Sequence, residues 1–579
     1  MYPLQKIKQN TAKLVNRALT KRLIGAGDLI FPPKPEFGDL SLPCFALAKK
    51  FNKTAVAMAE LLVRKIKLDD WIIATKAIGP YLNFTFNKTK LAVEVIKQID
   101  RLKDNYGKNQ SGGGKKIMVE FAHPNTHKSF HIGHLRNIFT GEAVARILAN
   151  SGFEVIRANY QGDIGLHIAK CLWGINHLPT EYKLAKRGGL KAKASFLGEA
   201  YVLGSKNYEE DKAAKQEIIV INQQLYEKDK SIKKIYEETR DWSLKYFAGI
   251  YHRVGTKFDR LYFEAEVADR GREMVVKNLK QGIFKVSDGA VIFEGEKYGL
   301  HNRVFLTTSG HPTYEAKDLA LAELQFKEFS PEKIIHIVGP EQAEYFKVIF
   351  KALELVLPKS KNKEIHVPYG WVRLKEGKMS SRLGNVILGE WLLDEIKKEI
   401  KAIVEKNKKL PNKEKTSEKI TLAAVKYSIL KNGLTKDIAF DINESISLNG
   451  NSGPYLQYTY ARINSILKKS KIKNQKPKTQ IKNIKINYSA LNEKKESELI
   501  NKLARYPEAV ELAGKNYDPS EIAKYLFELA QMFNEYYHSV PVLKAKKEIR
   551  AARLALISSI NQVIANGLNL LGIEVVGEM

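Results

Sequence analysis

Two histidines three positions apart, His131 and His134, lie in the segment EFAHPNTHKSFHIGHLRN that runs from Glu120 to Asn137. On a helical turn that spacing puts both imidazoles on one side. Gly133 between them lets a flat base or ribose approach the backbone. Imidazole N–H groups so placed can donate to phosphate and ribose oxygens. The elements that must position them are legible on either side. Ile117 to Phe121 is apolar and predicts a strand, and a short loop follows. Apolar residues at 132, 135, 138, 139, 143, 144, 147 and 148 then predict a helix that stops at Asn150-Ser151-Gly152. Phe153 to Arg157 reads as a second strand. Together they predict a βαβ unit whose helix starts with unpaired N–H groups and the positive end of its dipole, a seat for phosphate. An isolated HxxH reads better as two histidines capping a surface helix, so the pair needs company.

That company stands about 245 residues downstream, in Glu376-Gly377-Lys378-Met379-Ser380-Ser381-Arg382-Leu383-Gly384-Asn385. His131-Ile132-Gly133-His134 resembles the HIGH signature of class I aminoacyl-tRNA synthetases, the wider string around it resembles arginyl-tRNA synthetase, and the second motif resembles that family's mobile KMSKS loop. The resemblance implies an arginine–tRNA ligase: ATP converts L-arginine to arginyl-adenylate, and the acyl group passes to the 3'-terminal adenosine of tRNA(Arg). In-line attack on the α-phosphorus needs alignment and charge neutralisation rather than a base. On this reading His131, Gly133 and His134 bind ATP together with Lys378 and Met379, and Lys378 brings a cation to the leaving pyrophosphate. Ser380 and Ser381 add short donors, on a loop that Gly377 and Gly384 allow to close. Mg2+ is expected to ride on the ATP phosphates, and no residue is read as a metal ligand. One position departs from the motif: Ser381 stands where KMSKS has its second lysine, with Arg382 next. Many arginyl enzymes carry a lysine just before HIGH that shares the phosphate role. Lys128 occupies that place and is taken as catalytic, against the plainer reading of one more solvated lysine.

A guanidinium calls for planar carboxylate acceptors and an aromatic wall. Glu120 ends the first strand, where ligands of such sheets bind. Tyr314 and Asp318 are four apart at the start of a helix predicted over Tyr314 to Phe326. This set resembles the family's arginine pocket, with Asp318 and Glu120 as acceptors, Tyr314 as hydroxyl and packing partner, and Asn125 and Gln342 near the amino acid's α-carboxylate and α-amino groups. Each also has a local alternative: Asp318 could pair with Lys317 or Lys351, and Glu120 could be a strand-end acid.

The chain has 579 residues, with 95 Lys and Arg against 64 Asp and Glu, a formal net charge of +31. Such a field favours a polyanionic partner, although a generally lysine-rich surface would give the same total. The length predicts several domains: an α+β domain over 1–107 ending in a flexible glycine-rich linker, a Rossmann-like doubly wound parallel sheet over 108–395 interrupted by an insertion at about 178–300, a helical connecting bundle over 396–450, and an all-α domain over 451–579. The resemblance makes the first a tRNA-contacting extension and the last a DALR-like anticodon-binding domain. There Tyr455, Tyr458, Asn534 and Tyr537 would meet tRNA, since unstacked bases need aromatic faces beside polar groups; tyrosines at helical spacing also serve as core. Lys468 to Lys485 is a lysine-heavy run read as a solvated loop. Cys44 and Cys171 form no CxxC, which speaks against a cysteinyl ligase with thiolate zinc ligands. No apolar run reaches 18 residues and the first residues lack a signal-peptide pattern, so a soluble cytoplasmic monomer with no membrane partner is expected. Against these readings stands a non-catalytic RNA-binding paralogue, which intact His131, His134 and Lys378 argue against.

Overall fold

The computed structural model describes residues 1–375, 387–407, 410–472 and 486–579. The KMSKS-like residues Lys378, Met379, Ser380 and Ser381, and most of the lysine-rich run, lie outside these residues. Strands β1 (Leu40–Pro43), β2 (Ile72–Ile78) and β3 (Tyr81–Phe86) form an antiparallel sheet in the order β1-β3-β2, packed with helices Pro3–Leu19, Ala55–Lys65 and Lys88–Leu102. This is the α+β first domain. Next come β4 (Lys116–Glu120), β5 (Glu154–Gln161) and β6 (Arg260–Phe263). A small meander follows, β7 (Lys285–Ser287), β8 (Ala290–Phe293) and β9 (Arg303–Leu306), and then β10 (Lys333–Val338) and β11 (Glu364–Pro368).

The central sheet has the order β11-β10-β4-β5-β6, and every neighbouring pair in it is parallel. Strands covered on both faces must be apolar nearly throughout, which is why Ile117-Met118-Val119 and Ile334-Ile335-His336-Ile337 are buried runs rather than alternating ones. The chain leaves β4 for β5 on one side and returns on the other through β10. The strand order therefore reverses between β4 and β10, and the crevice beyond their carboxyl ends is where such sheets bind ligands.

The segment expected to interrupt the sheet contributes to it as well. Helices Leu166–His177, Pro179–Arg187, Leu190–Glu210, Lys212–Tyr226 and Lys230–Val254 gather around a core of their own, with Ile168, Leu172, Trp173, Leu197 and Ile218. Within the same 178–300 span, β6 is the edge strand of the main sheet.

The glycine-rich junction is not the flexible linker the sequence predicts. Tyr106 is buried, donates to the Leu503 carbonyl at 3.0 Å and stacks on Tyr506, while Gly112 and Gly114 donate to Ser151 and Gly152 carbonyls at 2.8 Å. A methyl at Gly112 would lie 2.5 Å from the Phe153 nitrogen. Gly112 thus serves close approach of two backbones, while Gly113 and Gly114 hold left-handed φ of 56° and 73°, the two common reasons for the residue. The C-terminal helices Gly453–Ile472, Lys494–Asn516, Ser520–Ser539 and Lys547–Leu570 pack on one another and on the first domain, so that one apolar cluster runs from Leu4 to Val576.

The helix Ile132–Asn150 lies across this cluster, and Gly141 sets its distance from the sheet. A methyl there would come within 2.2 Å of the Phe121 ring. Gly141→Ala must push the helix off the end of β4, so we expect a loss of roughly 1–3 kcal/mol, the scale of core overpacking. Thermal unfolding and adenylate-forming turnover measured on the same preparation should fall together.

Candidate active site

The loop between β4 and the helix Ile132–Asn150 builds the nucleotide end of the site. Three of its non-glycine residues have left-handed φ, Ala122 at 83°, His123 at 47° and His127 at 62°. Such residues persist only where the surroundings over-determine them. Side chains from three other elements do so here. Asn137 accepts from the Ala122 N–H, Asn159 accepts from that of His123 at 3.2 Å, and Ser243 accepts from that of His127 at 3.0 Å. The Thr126 N–H reaches the Gly162 carbonyl at 2.9 Å. His127 itself is buried, bonded to Thr126 and Thr239, and burial followed by His167 and Arg240 lowers it to about 3. It is a structural histidine.

His131 is the residue just before the first helical turn and Gly133 lies within that turn, with the His131 ring against it: a methyl at Gly133 would meet that ring at 3.0 Å. The backbone N–H of His131 donates to Nδ1 of His134 at 3.1 Å. That bond fixes the tautomer, because an Nδ1 that accepts leaves Nε2 carrying the proton as a donor. Burial, then His131, His123 and Lys128, hold His134 well below its ordinary value, and burial followed by Lys128 lowers His131. Both are neutral donors. The two rings are 3.9 Å apart, and that of His134 also stacks on Phe130.

The chain that carries the second motif is anchored against this helix start. Ile132 donates to the Ile387 carbonyl and Gly389 to that of Phe130, both at 2.9 Å. On the other flank, β12 (Val372–Leu374) pairs in parallel with β13 (Ile438–Phe440), and Arg136 reaches the carbonyls of Trp371, Leu434 and Lys436 at 2.8 to 3.2 Å. Lys128 is half-buried above Tyr201, its Nζ 5.0 Å from that ring, and its charge lowers His131, His134 and His167. It stands with the histidines rather than loose in solvent.

At the switch point between β4 and β10 the structure gathers acids. Glu120 accepts from Nδ1 of His336 at 2.9 Å and from Gln325, and the other His336 nitrogen bonds Glu364 at 2.7 Å. Glu264 pairs with buried Lys317 at 2.7 Å, and Asp163 with Arg240 at 2.7 Å. Lys351 lies by Glu354. Asp318 therefore pairs with neither of the lysines considered for it. Among the described residues its one hydrogen bond comes from the Tyr345 hydroxyl at 2.7 Å. Burial, only partly offset by that bond and reinforced by Glu120, pushes Asp318 up to about 8. Asn125 meets Glu264 over Gly162, where a methyl would lie 2.1 Å from Asn125 Oδ1 and 3.0 Å from Glu264 Oε1. Gln342 ends a short turn just past β10, half-exposed at the same end of the sheet. Tyr314 is 53% exposed at the rim, over Lys317 at 5.0 Å from its ring, rather than walled in beside Asp318.

Sequence reasoning missed several of these partners. Among the described residues Tyr160 has a buried hydroxyl with no hydrogen-bond partner, raised by burial and then by Glu264 and Asp318, and Nε2 of His123 and Oε1 of Gln161 are likewise buried and unpaired. Unpaired buried polar atoms are what a polar ligand would satisfy. Tyr160, Gln161 and Glu264 stand at the carboxyl ends of β5 and β6, a position that could have flagged them. His336, a lone polar residue inside an apolar strand, could also have been flagged.

In the helical domain Asn534 donates to Tyr455 at 2.8 Å and accepts from Arg462 at 2.9 Å, and Arg462 donates to Tyr458 at 3.0 Å. Tyr455, Tyr458 and Asn534 thus form one half-buried network, and Tyr537 stacks on Phe533 one turn on from Asn534.

A family model described as tRNA synthetases class I (R), catalytic domain, matches residues 96–442. The Arginyl tRNA synthetase N terminal domain matches residues 5–86 and the DALR anticodon binding domain residues 456–579. The chain is 35% identical over 578 residues to the arginine–tRNA ligase of Clostridium botulinum, covering 99% of this chain and 100% of that one. It is 34% identical over 550 residues to that of Treponema denticola, covering 93% and 92%. The solved arginyl-tRNA synthetase of Thermus thermophilus superposes with a TM-score of 0.81 at 27% identity, covering 99% of this chain and 100% of that one. Because the likeness takes in all three matched segments and almost the full length of both chains, the chain belongs to the arginyl-tRNA synthetase family of class I aminoacyl-tRNA synthetases.

Proposed function

We propose that this chain activates L-arginine with ATP and transfers it to the 3'-terminal adenosine of tRNA(Arg), in the cytoplasm and as a monomer. The observation that carries the choice of amino acid is Asp318. It lies beside Glu120 and Glu264, which are each bonded to a cation of the protein, and it has no ion pair of its own among the described residues. A guanidinium supplies the missing charge and the donors that Tyr345 leaves unmatched. Asn125, Glu264 and Gln342 border the α-carbon end of such a ligand, and Tyr314 at the rim covers its entrance. Glu120, already bonded to His336 and Gln325, acts as a fixed charge with lone pairs to spare rather than as a free fork.

At the nucleotide end the proton on Nε2 of His134 has no ring partner to return to, since Nδ1 is occupied, so it donates to a phosphate or ribose oxygen. Neutral imidazoles orient without competing for the proton of the substrate's ammonium. Lys128, and Lys378 from the loop anchored beside His131, supply the cations for the pentavalent phosphate and the departing pyrophosphate. Magnesium comes with ATP as its phosphate complex. Tyr455, Tyr458, Asn534 and Tyr537 offer the anticodon bases a polar and aromatic face whose geometry Arg462 holds.

His134→Ala removes one preorganised donor and should lower adenylate formation by roughly 10²- to 10³-fold, with His131→Ala close behind. Arginine-dependent ATP–pyrophosphate exchange with tRNA present measures it, and near-normal turnover in both variants would take the pair out of the site.

Asp318→Asn keeps size and helix position but removes the charge. Its kcat/KM for arginine should fall by about 2–5 kcal/mol while citrulline, the neutral isostere, loses far less. Charging assays with the two amino acids decide it. Equal losses for both would mean that Asp318 does not face a guanidinium.

Arginine binding must also displace the proton from Asp318, whose value in the empty pocket is about 8. The KM for arginine should therefore rise by about tenfold for each pH unit below that value and level off above it. A flat profile from pH 6 to 9 would contradict an acid that ionises on meeting its ligand.

A further inference from the structure

His336 is a cation in a place that needs explaining. It sits within β10 on an apolar run, 7% exposed, with one ring nitrogen 2.9 Å from Glu120 and the other 2.7 Å from Glu364. The register sets His336 opposite Glu120 of β4 and opposite His366 of β11, and Glu364, two residues before His366 on the same face of β11, reaches the other ring nitrogen with its side chain, so three charged residues span three adjacent strands at the switch point. Imidazole bonded to a carboxylate through each nitrogen carries both protons. A neutral residue of the same size would satisfy packing alone, against Phe346 and Phe350, whose rings lie 5.2 and 5.7 Å away.

We propose that His336 is a positioning residue for amino-acid recognition, which clamps the Glu120 carboxylate in its ionised form so that a bound guanidinium finds one acid already charged and needs to deprotonate only Asp318. This rests on the reading of the pocket as an arginine site. Every titratable or charged group packed around His336 fits that assignment. Burial opposes charge on His336, but Glu120 and Glu364 outweigh it and hold it up at about 10. Burial likewise opposes charge on Glu120, and the imidazolium pulls it below its usual range. Glu364 stays raised by burial despite His336, with Glu120 adding to it. From the loop after β4 His123 faces the cluster, and from β11 His366; both are lowered, first by burial, and His336 adds to it, which keeps them neutral. From the helix Tyr314–Glu328 come Gln325, which donates to Glu120, and Asp318 itself. A single positive charge thus serves Glu120, and Asp318 is left as the acid that titrates.

The test is the proton stoichiometry of arginine binding. In the wild type, log KM for arginine against pH should have a slope near one between pH 6 and 8. In His336→Gln, Glu120 loses its cation, takes up a proton in its buried setting and must give it up on binding, so the slope should steepen toward two and KM at pH 7 should rise about tenfold or more, with the KM for ATP unchanged. Glu364→Gln leaves the His336–Glu120 bond in place and should keep a slope near one. A slope of one in His336→Gln, or a loss spread equally over arginine and ATP, would reduce His336 to a packing residue. If His336→Gln does not fold, histidine-labelled wild-type protein still decides the matter: the His336 resonances must report an imidazolium at pH 8, and a neutral ring there overturns the proposal. A wild-type enzyme that activates no arginine in ATP–pyrophosphate exchange would instead sink the underlying functional reading, and the charge state of His336 in the labelled protein would remain a separate result.

Discussion

The side-chain amide of Asn137 is the joint on which the catalytic region turns. Buried near the start of the helix Ile132–Asn150, it accepts from the Ala122 N–H at the end of β4, and donates to the Ile337 carbonyl of β10 at 2.7 Å and the Tyr369 hydroxyl beyond β11 at 3.1 Å. Three strands that diverge at the switch point are thereby fixed to the one helix whose first turn faces the nucleotide. An amide is suited to this, since it offers donors and an acceptor on one planar group with no charge to bury. Its neighbour Arg136 extends the joint to the carbonyls around β12 and β13, on the flank of the second motif. Two adjacent residues thus hold both halves of the nucleotide site to a common frame.

That frame lets the β4 loop hold an unfavourable backbone. Ala122, His123 and His127 together store on the order of several kcal/mol, at about 1–3 kcal/mol for each residue in a sparsely populated region. Net hydrogen bonds of about 1 kcal/mol each from Asn137, Asn159 and Ser243 offset only part of this, and the remainder comes from the packing of Phe121, Phe130 and Leu135 beneath. The strain turns His123 and Asn125 toward the carboxyl ends of β5 and β6. A relaxed loop would run over the surface and leave Gly162 without its close neighbour Asn125.

The sequence disclosed what is local. The βαβ unit, its helix from Ile132 to Asn150 and the imidazoles of its first turn follow from periodicities of 2 and 3.6, and the structure has them. Long-range pairing was not legible. His336 reads as an ordinary strand residue until the sheet sets it opposite Glu120 and within reach of the Glu364 side chain, and Tyr160 and Tyr345 acquire meaning only when β5 and the helix Ala343–Val356 meet at the same crevice. Glycine was read for flexibility at 107 and 112–114, where it instead lets the Tyr506 ring approach Gly107, lets the Phe153 backbone approach Gly112, and holds left-handed φ at Gly113 and Gly114, because sequence alone does not distinguish these uses. Tyr314 and Asp318 do lie on one helix, yet the first is exposed at the rim and the second half-buried, since a four-residue step also advances one full turn along the axis. The loop bearing Lys378 rests on its motif alone.

The charge pattern of the pocket links stability to selectivity. Asp318 titrates at about 8 in the folded protein and at about 3.9 in an unfolded chain, so its folded value is raised. Its contribution to stability is therefore complete below about pH 4 and is lost progressively as pH rises to about 8, since across that window the unfolded state releases the proton and the folded state keeps it. The cost at Asp318 is the one that no ion pair offsets, since Glu120, Glu264 and Asp163 have cations of their own, although burial still raises Glu264 and Asp163. A ligand that brings a positive charge removes that cost and is stabilised by the same amount. An uncharged side chain brings nothing, and an ammonium brings a compact, strongly hydrated charge without the planar fork that a carboxylate matches. On the proposed arginine reading, discrimination comes from leaving Asp318 without an ion pair of its own, which a surplus of cations beside it would abolish.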